Sequence, residues 1–253
     1  MGMELKLTPM ALLFMIICML LGFTIAIGSL ISMGGELRTE ALSSLSIPTI
    51  LVSILDPLAI VLEFAAVIMI FVEARKMGGV HRKLTSLSLC FLIAWLVLNF
   101  GVFIPISLMG LTSGSLSLVR IALAVKSSAA ILQYIIPLTL IYGLASVREK
   151  KLLLPAAALT TTGNFLLILL PIWSVRLTLT RLAGMMLIYR PVIEVNYLSQ
   201  PYLTLLLMGY TGGILYMTAY ISAYFRLRRS LISHQKGRPT WKVEYFSMLL
   251  EYG

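Results

Sequence analysis

Three ionisable side chains interrupt the long apolar stretches of this chain: Asp56, Glu63 and Lys126. A carboxyl group among apolar residues can take up and release a proton, because such surroundings disfavour its charged form. An ammonium group there needs an opposite charge or a polar path beside it. These residue types therefore point to the handling of protons or small ions.

The spacing of the two acids places them on one side of a helix. Asp56 and Glu63 are seven residues apart, which puts them within about 20° of each other around the helix axis. Lys126 belongs to another apolar stretch, and Gln133 follows two turns later on its side. An unpaired charge at bilayer depth costs roughly 2.5–3.5 kcal/mol, so we expect Lys126 to meet the acids. This set is either a path for ions or a buried ion pair that fixes helix register.

A polar run interrupts the fifth apolar stretch: Thr160, Thr161, Thr162, Gly163 and Asn164. One interpretation is a partly unwound segment that contacts a substrate, with Thr161 and Asn164 as its polar groups. The other is that the threonines bond to carbonyls of their own helix and serve packing or a local bend.

The composition predicts the elements that position these residues. The 253-residue chain is 59% hydrophobic and 12% charged, with a mean hydropathy of +0.98, whereas charged residues make up roughly a quarter of soluble domains. About 20 helical residues cross the hydrocarbon core of a bilayer. We therefore predict an all-α, polytopic membrane helical bundle with six spans: 8–33, 47–72, 84–111, 116–147, 152–173 and 197–225.

The basic residues predict how the chain is oriented. Cytoplasmic segments of membrane proteins are enriched in Lys and Arg. If the N-terminus of this chain is cytoplasmic, most of its 20 Lys and Arg residues fall in cytoplasmic segments. Four arginines lie on the opposite side: Arg38, Arg176, Arg181 and Arg190. We predict cytoplasmic termini, a transmembrane domain over 1–225 and a basic cytoplasmic tail over 226–253.

Residues 174–196 are too polar to span a membrane. The segment from Arg176 to Thr180 alternates like a strand, while Leu179, Leu182 and Met186 recur like one face of a helix. A seventh span here would move the basic tail outside. We expect a short interfacial or re-entrant element.

Small residues spaced four apart suit close helix contact. Gly209 and Gly213 form such a pair in the sixth span, as do Gly22 and Ala26 in the first. Both pairs indicate packing, within the chain or against another subunit.

Missing motifs argue against an enzyme. The histidines, His81 and His234, fall in predicted cytoplasmic segments, so neither haem ligation between helices nor an H-E-x-x-H zinc site is expected. The chain has no G-x-S-x-G, P-loop or G-x-G-x-x-G motif. The sequence thus predicts no catalytic residue, metal site or cofactor.

The leading functional hypothesis is a transport or channel-forming protein of the cell membrane. Its polar path would run between the second, fourth and fifth spans and include Asp56, Glu63, Lys126, Gln133, Thr161 and Asn164. The alternative is a non-catalytic transmembrane subunit of a larger complex, such as a DNA or macromolecule translocation machine or a respiratory complex. A lipid-modifying membrane enzyme is the third hypothesis.

The predicted partners follow from the same features. Apolar spans predict contact with the lipid bilayer, and the small-residue faces suit a homo-oligomer or a hetero-complex. The basic tail suits anionic headgroups, a cytoplasmic partner or nucleic acid.

Overall fold

The computed structural model describes residues 7–34, 47–77, 79–182, 186–193 and 200–235. Within these ranges, the side chains of 26–34, 47–53, 56, 180–182, 186–188, 190–193 and 233–235 are not described. The predicted tail therefore lies outside the described residues from 236 onward.

Seven α-helices account for most of the described chain: α1 (Leu7–Gly34), α2 (Ile47–Met77), α3 (Gly79–Leu96), α4 (Ile104–Ser113), α5 (Leu116–Ile141), α6 (Val147–Leu169) and α7 (Tyr202–Gln235). A π-helical segment, Val97–Phe103, joins α3 directly to α4, and a 3-10 turn, Leu170–Ser174, extends α6. Six stretches are long and apolar enough to cross a membrane, with α3 and α4 forming one of them. This number agrees with the six apolar stretches that the sequence predicts, and their insertion in a membrane stays a prediction.

The segment between α6 and α7 forms a β-hairpin. Strands β1 (Val175–Leu182) and β2 (Met186–Ile193) pair antiparallel, with Val175 opposite Ile193. The strand-like alternation was thus the correct periodicity, and the helical one was wrong. Alternating threonine and leucine favour an extended backbone, in which β-branched side chains pack well. The hairpin is a departure from the predicted all-α class.

Contacts divide the chain into two compact units. The first comprises 1–77, 144–149 and 217–253, and the second comprises 78–143 and 150–216. In the first unit α1 packs along α2. Leu12, Met15, Val67 and Ile70 are fully or almost fully buried. Their burial gives the two helices a shared apolar interface.

Polar bonds between helices hold the second unit. The Ser88 hydroxyl on α3 donates to the Thr139 hydroxyl on α5 over 2.8 Å, and both residues are buried. The Tyr216 hydroxyl on α7 donates to the Tyr134 carbonyl on α5, also over 2.8 Å. Such bonds add to van der Waals packing where hydrocarbon offers no competing water.

Helices α6 and α7 cross within the second unit at glycines. A β carbon added at Gly163 would lie 2.7 Å from the Leu205 carbonyl oxygen, and one at Gly212 would lie 2.6 Å from the Thr160 nitrogen. The two backbones therefore touch without intervening side chains. Gly212 and Gly209 both take part in this contact, because residues three apart share a helix face.

Another glycine shapes the turn that leads into α5. Gly114 has φ of 69°, a left-handed conformation that ends α4. A β carbon there would lie 2.6 Å from the Tyr189 ring on β2. The turn thus packs against the hairpin at Gly114. Glycine suits this position because it adopts the left-handed conformation readily and has no side chain to meet the Tyr189 ring.

Replacing Gly163 by alanine is expected to destabilise the protein by about 1–3 kcal/mol, because the new methyl group must displace backbone rather than a flexible side chain. The measurement is thermal unfolding in mild detergent, followed by size-exclusion chromatography.

Gly22→Ala is the matched control, since nothing lies within 4 Å of a β carbon at Gly22. It should leave stability unchanged or raise it slightly, because alanine favours helix. Equal melting temperatures for the two variants would contradict the backbone contact at Gly163.

Candidate functional site

Glu73, near the end of α2, has a structural role. Its carboxylate accepts hydrogen bonds from the Leu7 amide over 3.1 Å, the Thr8 amide over 2.5 Å and the Thr8 hydroxyl. These donors belong to the first turn of α1, whose amides lack partners within the helix. Glu73 therefore caps α1 and ties its start to α2.

Glu149, in the first turn of α6, has a second structural role. The Ser146 amide donates to its carboxylate over 2.7 Å, and the Glu149 amide donates to the Ser146 hydroxyl over 3.4 Å. This reciprocal pair is a capping box at the start of α6. The side chain of Glu149 is only 1% exposed, so its charge needs further partners.

Those partners come from α7 within the first unit. Arg226 donates to both Glu149 oxygens, over 2.9 Å from Nη2 and 3.3 Å from Nε. Its Nη2 also donates to the Leu144 carbonyl over 2.6 Å, and the Ser222 hydroxyl donates to Glu149 over 3.0 Å. A two-pronged guanidinium contact of this kind fixes orientation as well as neutralising charge. Glu149 and Arg226 thus hold the start of α6 to α7.

Lys126 differs from these two acids. It is exposed on α5, and its ammonium group lies 5.3 Å from the centre of the Phe103 ring. Phe103 is the last residue of the π-helical segment, a form of helix that is often found at functional sites. The second unit contains no aspartate or glutamate among its described residues. Among the described residues of its unit, Lys126 therefore has an aromatic face as partner and no carboxylate.

Gln133 follows Lys126 on the same side of α5, because seven residues make about two turns. It is half-buried, and the alanines beside Lys126, Ala122 and Ala130, are buried. Lys126 and Gln133 thus lie at the edge of the packed face of α5.

Glu63 lies midway along α2 in the first unit and is half-buried. One turn before it, the Ala59 carbonyl accepts a bond from the Cys18 thiol on α1 over 3.1 Å. Its carboxylate makes no hydrogen bond or ion pair with any residue that the structure describes. Asp56 belongs to the same helix, but its side chain lies outside the described residues. The predicted pairing of Lys126 with the two acids stays a prediction.

The polar run 160–164 lies in a continuous part of α6 rather than in an unwound segment. The Thr160 hydroxyl donates to the Ala156 carbonyl, and the Asn164 amide donates to the Thr160 carbonyl over 2.8 Å. Asn164 also lies against Gly209 at the helix crossing. These contacts fit the packing interpretation. The buried Thr161 hydroxyl instead has no hydrogen-bond partner among the described residues.

Arg120, one turn into α5, sits at the end of α6. Its guanidinium donates to the Trp173 carbonyl over 3.4 Å and lies 5.4 Å from the centre of the Trp173 ring. Its Nε atom is buried and has no hydrogen-bond partner in the described chain. A second cation of this unit is therefore held by a carbonyl and an aromatic ring.

Searches of family models, curated proteins and solved structures found no match to this chain. No group of three His, Cys, Asp or Glu side chains in the described part could hold a metal ion. The candidate site accordingly rests on its residues alone.

Sequence reasoning missed Glu73, Glu149 and Phe103. The spacing Ser146-x-x-Glu149 ahead of an apolar run is a capping-box signal that could have identified Glu149. No local signal marks Glu73 or Phe103, because their partners are distant in sequence.

Arg226→Met is expected to lower the free energy of unfolding by about 1–3 kcal/mol, since it leaves a buried carboxylate without its charged donor. Arg229→Met is the control, because Arg229 is exposed and makes no bond with the described residues. Thermal unfolding in detergent measures both.

Combining Arg226→Met with Glu149→Gln should cost less than the sum of the single changes, because the two groups interact directly. Additive losses would show that the ion pair does not stabilise the protein.

Proposed function

We propose that this chain is a multi-pass membrane protein of the transport or channel-forming class. Its six apolar stretches expose large hydrophobic side chains such as Val61, Phe100 and Ile121, which suit contact with lipid tails. The charge bias of the sequence then favours cytoplasmic termini, with the β-hairpin on the outer side.

One contrast carries this proposal. Glu73 and Glu149, near helix ends, are occupied by capping bonds, whereas Glu63 and Lys126 lie near mid-helix without such bonds to any described residue. Lys126 is about 15 Å from the start of α5, and Glu63 is more than about 20 Å from either end of α2. Ionisable groups at such depth usually mark paths for ions or protons.

The energetics support the same conclusion for Lys126. A charge at the bilayer centre costs roughly 2.5–3.5 kcal/mol on insertion scales. A cation–π contact such as that with Phe103 returns about 0.5–2 kcal/mol. Water or a charged solute beside the ammonium group would supply the remainder.

The second candidate function is a transmembrane subunit of a larger complex. The exposure of Lys126 favours it, because another chain could supply the carboxylate that the described part of its unit lacks. Purification in mild detergent distinguishes the two candidates, since a self-sufficient transporter is recovered folded and without fixed companions.

Glu63→Gln is expected to abolish ion or proton flux while leaving the protein folded, because the amide has nearly the same shape but cannot exchange a proton. The measurement uses proteoliposomes that contain a pH-sensitive dye and are exposed to a potassium chloride gradient.

Lys151→Gln serves as the control, since Lys151 is exposed in the first turns of α6. It should transport as the unmodified protein does. Normal flux through Glu63→Gln would exclude a transport role for that carboxyl group.

A further inference from the structure

We infer that Arg120 and Trp173 form a binding site for the phosphate group of an anionic membrane phospholipid. The site lies at the end of the second unit where α5 begins, α6 ends and the β-hairpin starts. Such a lipid offers a phosphate for the guanidinium and acyl chains for the exposed apolar side chains beside it. This inference rests on the membrane location in the proposed function and is independent of transport.

Two contacts hold Arg120 against the end of α6. Its Nη2 donates to the Trp173 carbonyl over 3.4 Å, and its guanidinium carbon lies 5.4 Å from the centre of the Trp173 ring. Trp173 belongs to the 3-10 turn Leu170–Ser174, which follows directly on α6. The guanidinium is therefore held at the junction of helix and hairpin.

The guanidinium of Arg120 keeps donors for a ligand. The long bond to Trp173 is its only hydrogen bond to the described residues, and its Nε is buried without a partner among them. The bond to Trp173 is itself exposed, so a ligand can reach the terminal nitrogens. The planar fork of a guanidinium matches two oxygens of a phosphate group.

The electrostatic surroundings of Arg120 favour an anion. The described residues of this unit include no acid, whereas Arg226 in the other unit is paired with Glu149. Arg120 lies one turn after the start of α5, and the first turn of that helix contains no acidic residue. The beginning of a helix carries partial positive charge. Both the guanidinium and the helix end would therefore attract a phosphate.

Exposed apolar side chains beside Arg120 favour a lipid over a soluble phosphate. The Trp173 side chain is 78% exposed, and Leu170 and Ile121 are exposed as well. Tryptophan is enriched at the headgroup level of membranes, where one part of its ring is apolar and the other polar. Arg120 is about 6 Å from the start of α5, which is headgroup depth for a spanning helix. One phospholipid would thus satisfy the cation and cover the apolar surface.

The experiment measures quenching of Trp173 fluorescence by brominated lipid. The protein is reconstituted in phosphatidylcholine vesicles that contain the same minor fraction of either brominated phosphatidylglycerol or brominated phosphatidylcholine. Trp173→Phe is measured in parallel, so that the difference gives the emission of Trp173. We expect phosphatidylglycerol to be enriched at Trp173 about fivefold, as one basic residue near a membrane surface would produce.

Arg120→Gln should abolish this enrichment, because the amide carries no charge. Lys151→Gln is the matched control and should retain it, since Lys151 is exposed in the same unit but lies at the opposite end of α6. Potassium chloride should weaken the enrichment in the unmodified protein, because salt screens exposed charges. This last measurement tests the inference even if Arg120→Gln does not fold.

The outcomes are distinct. Equal quenching by the two brominated lipids would overturn the headgroup site while the membrane location stands, whereas absence of quenching of the whole protein by either lipid would contradict the membrane location itself. Enrichment that persists in Arg120→Gln or is insensitive to salt would overturn the role of Arg120. Inorganic phosphate that displaces the lipid more strongly than potassium chloride of equal ionic strength would show a site for soluble phosphate instead.

Discussion

The cost of placing charge among apolar helices governs this structure. Each charged side chain that the structure describes within or beside an apolar stretch needs a partner that compensates the cost of its charge. The kind of partner indicates the role of the side chain. Glu73 caps α1, and Glu149 joins a capping box to Arg226, so their charges serve to hold helices together. Glu63 in the first unit and Lys126 in the second have no such bonds with the described residues, so each is a candidate functional residue of its own unit.

The helix contacts also suit the proposed membrane location. Lipid tails are as apolar as leucine, so helices gain little from burying apolar surface against one another. The second unit relies instead on a hydroxyl pair between α3 and α5, and on the glycine crossing of α6 and α7. A second hydroxyl bond joins α7 to α5, because the Tyr216 hydroxyl donates to the Tyr134 carbonyl.

The number and approximate bounds of the apolar helices could be predicted from the sequence, because twenty consecutive apolar residues form a signal of their own. The sequence indicated the hairpin only as one of two possibilities. A segment of eight residues is short enough to match both the alternation of a strand and the spacing of one helix face. The capping role of Glu73 could not be predicted, because Thr8 lies 65 residues away. The placement of Lys126 against Phe103 likewise depends on a π-helical segment, which no residue pattern in the sequence predicts.

The π-helical segment between α3 and α4 has a further consequence for the shape of the third apolar stretch. A π-helical turn bonds residue i to residue i+5 and so accommodates one more residue than an α-helical turn. The seven residues in this form, Val97–Phe103, change the direction in which the side chains after them point around the helix axis, compared with a continuous α-helix. Deleting a single residue there would allow an α-helical turn to form in its place. The aromatic face that Phe103 offers to Lys126 is thus set by a phase offset in the backbone rather than by the identity of neighbouring side chains.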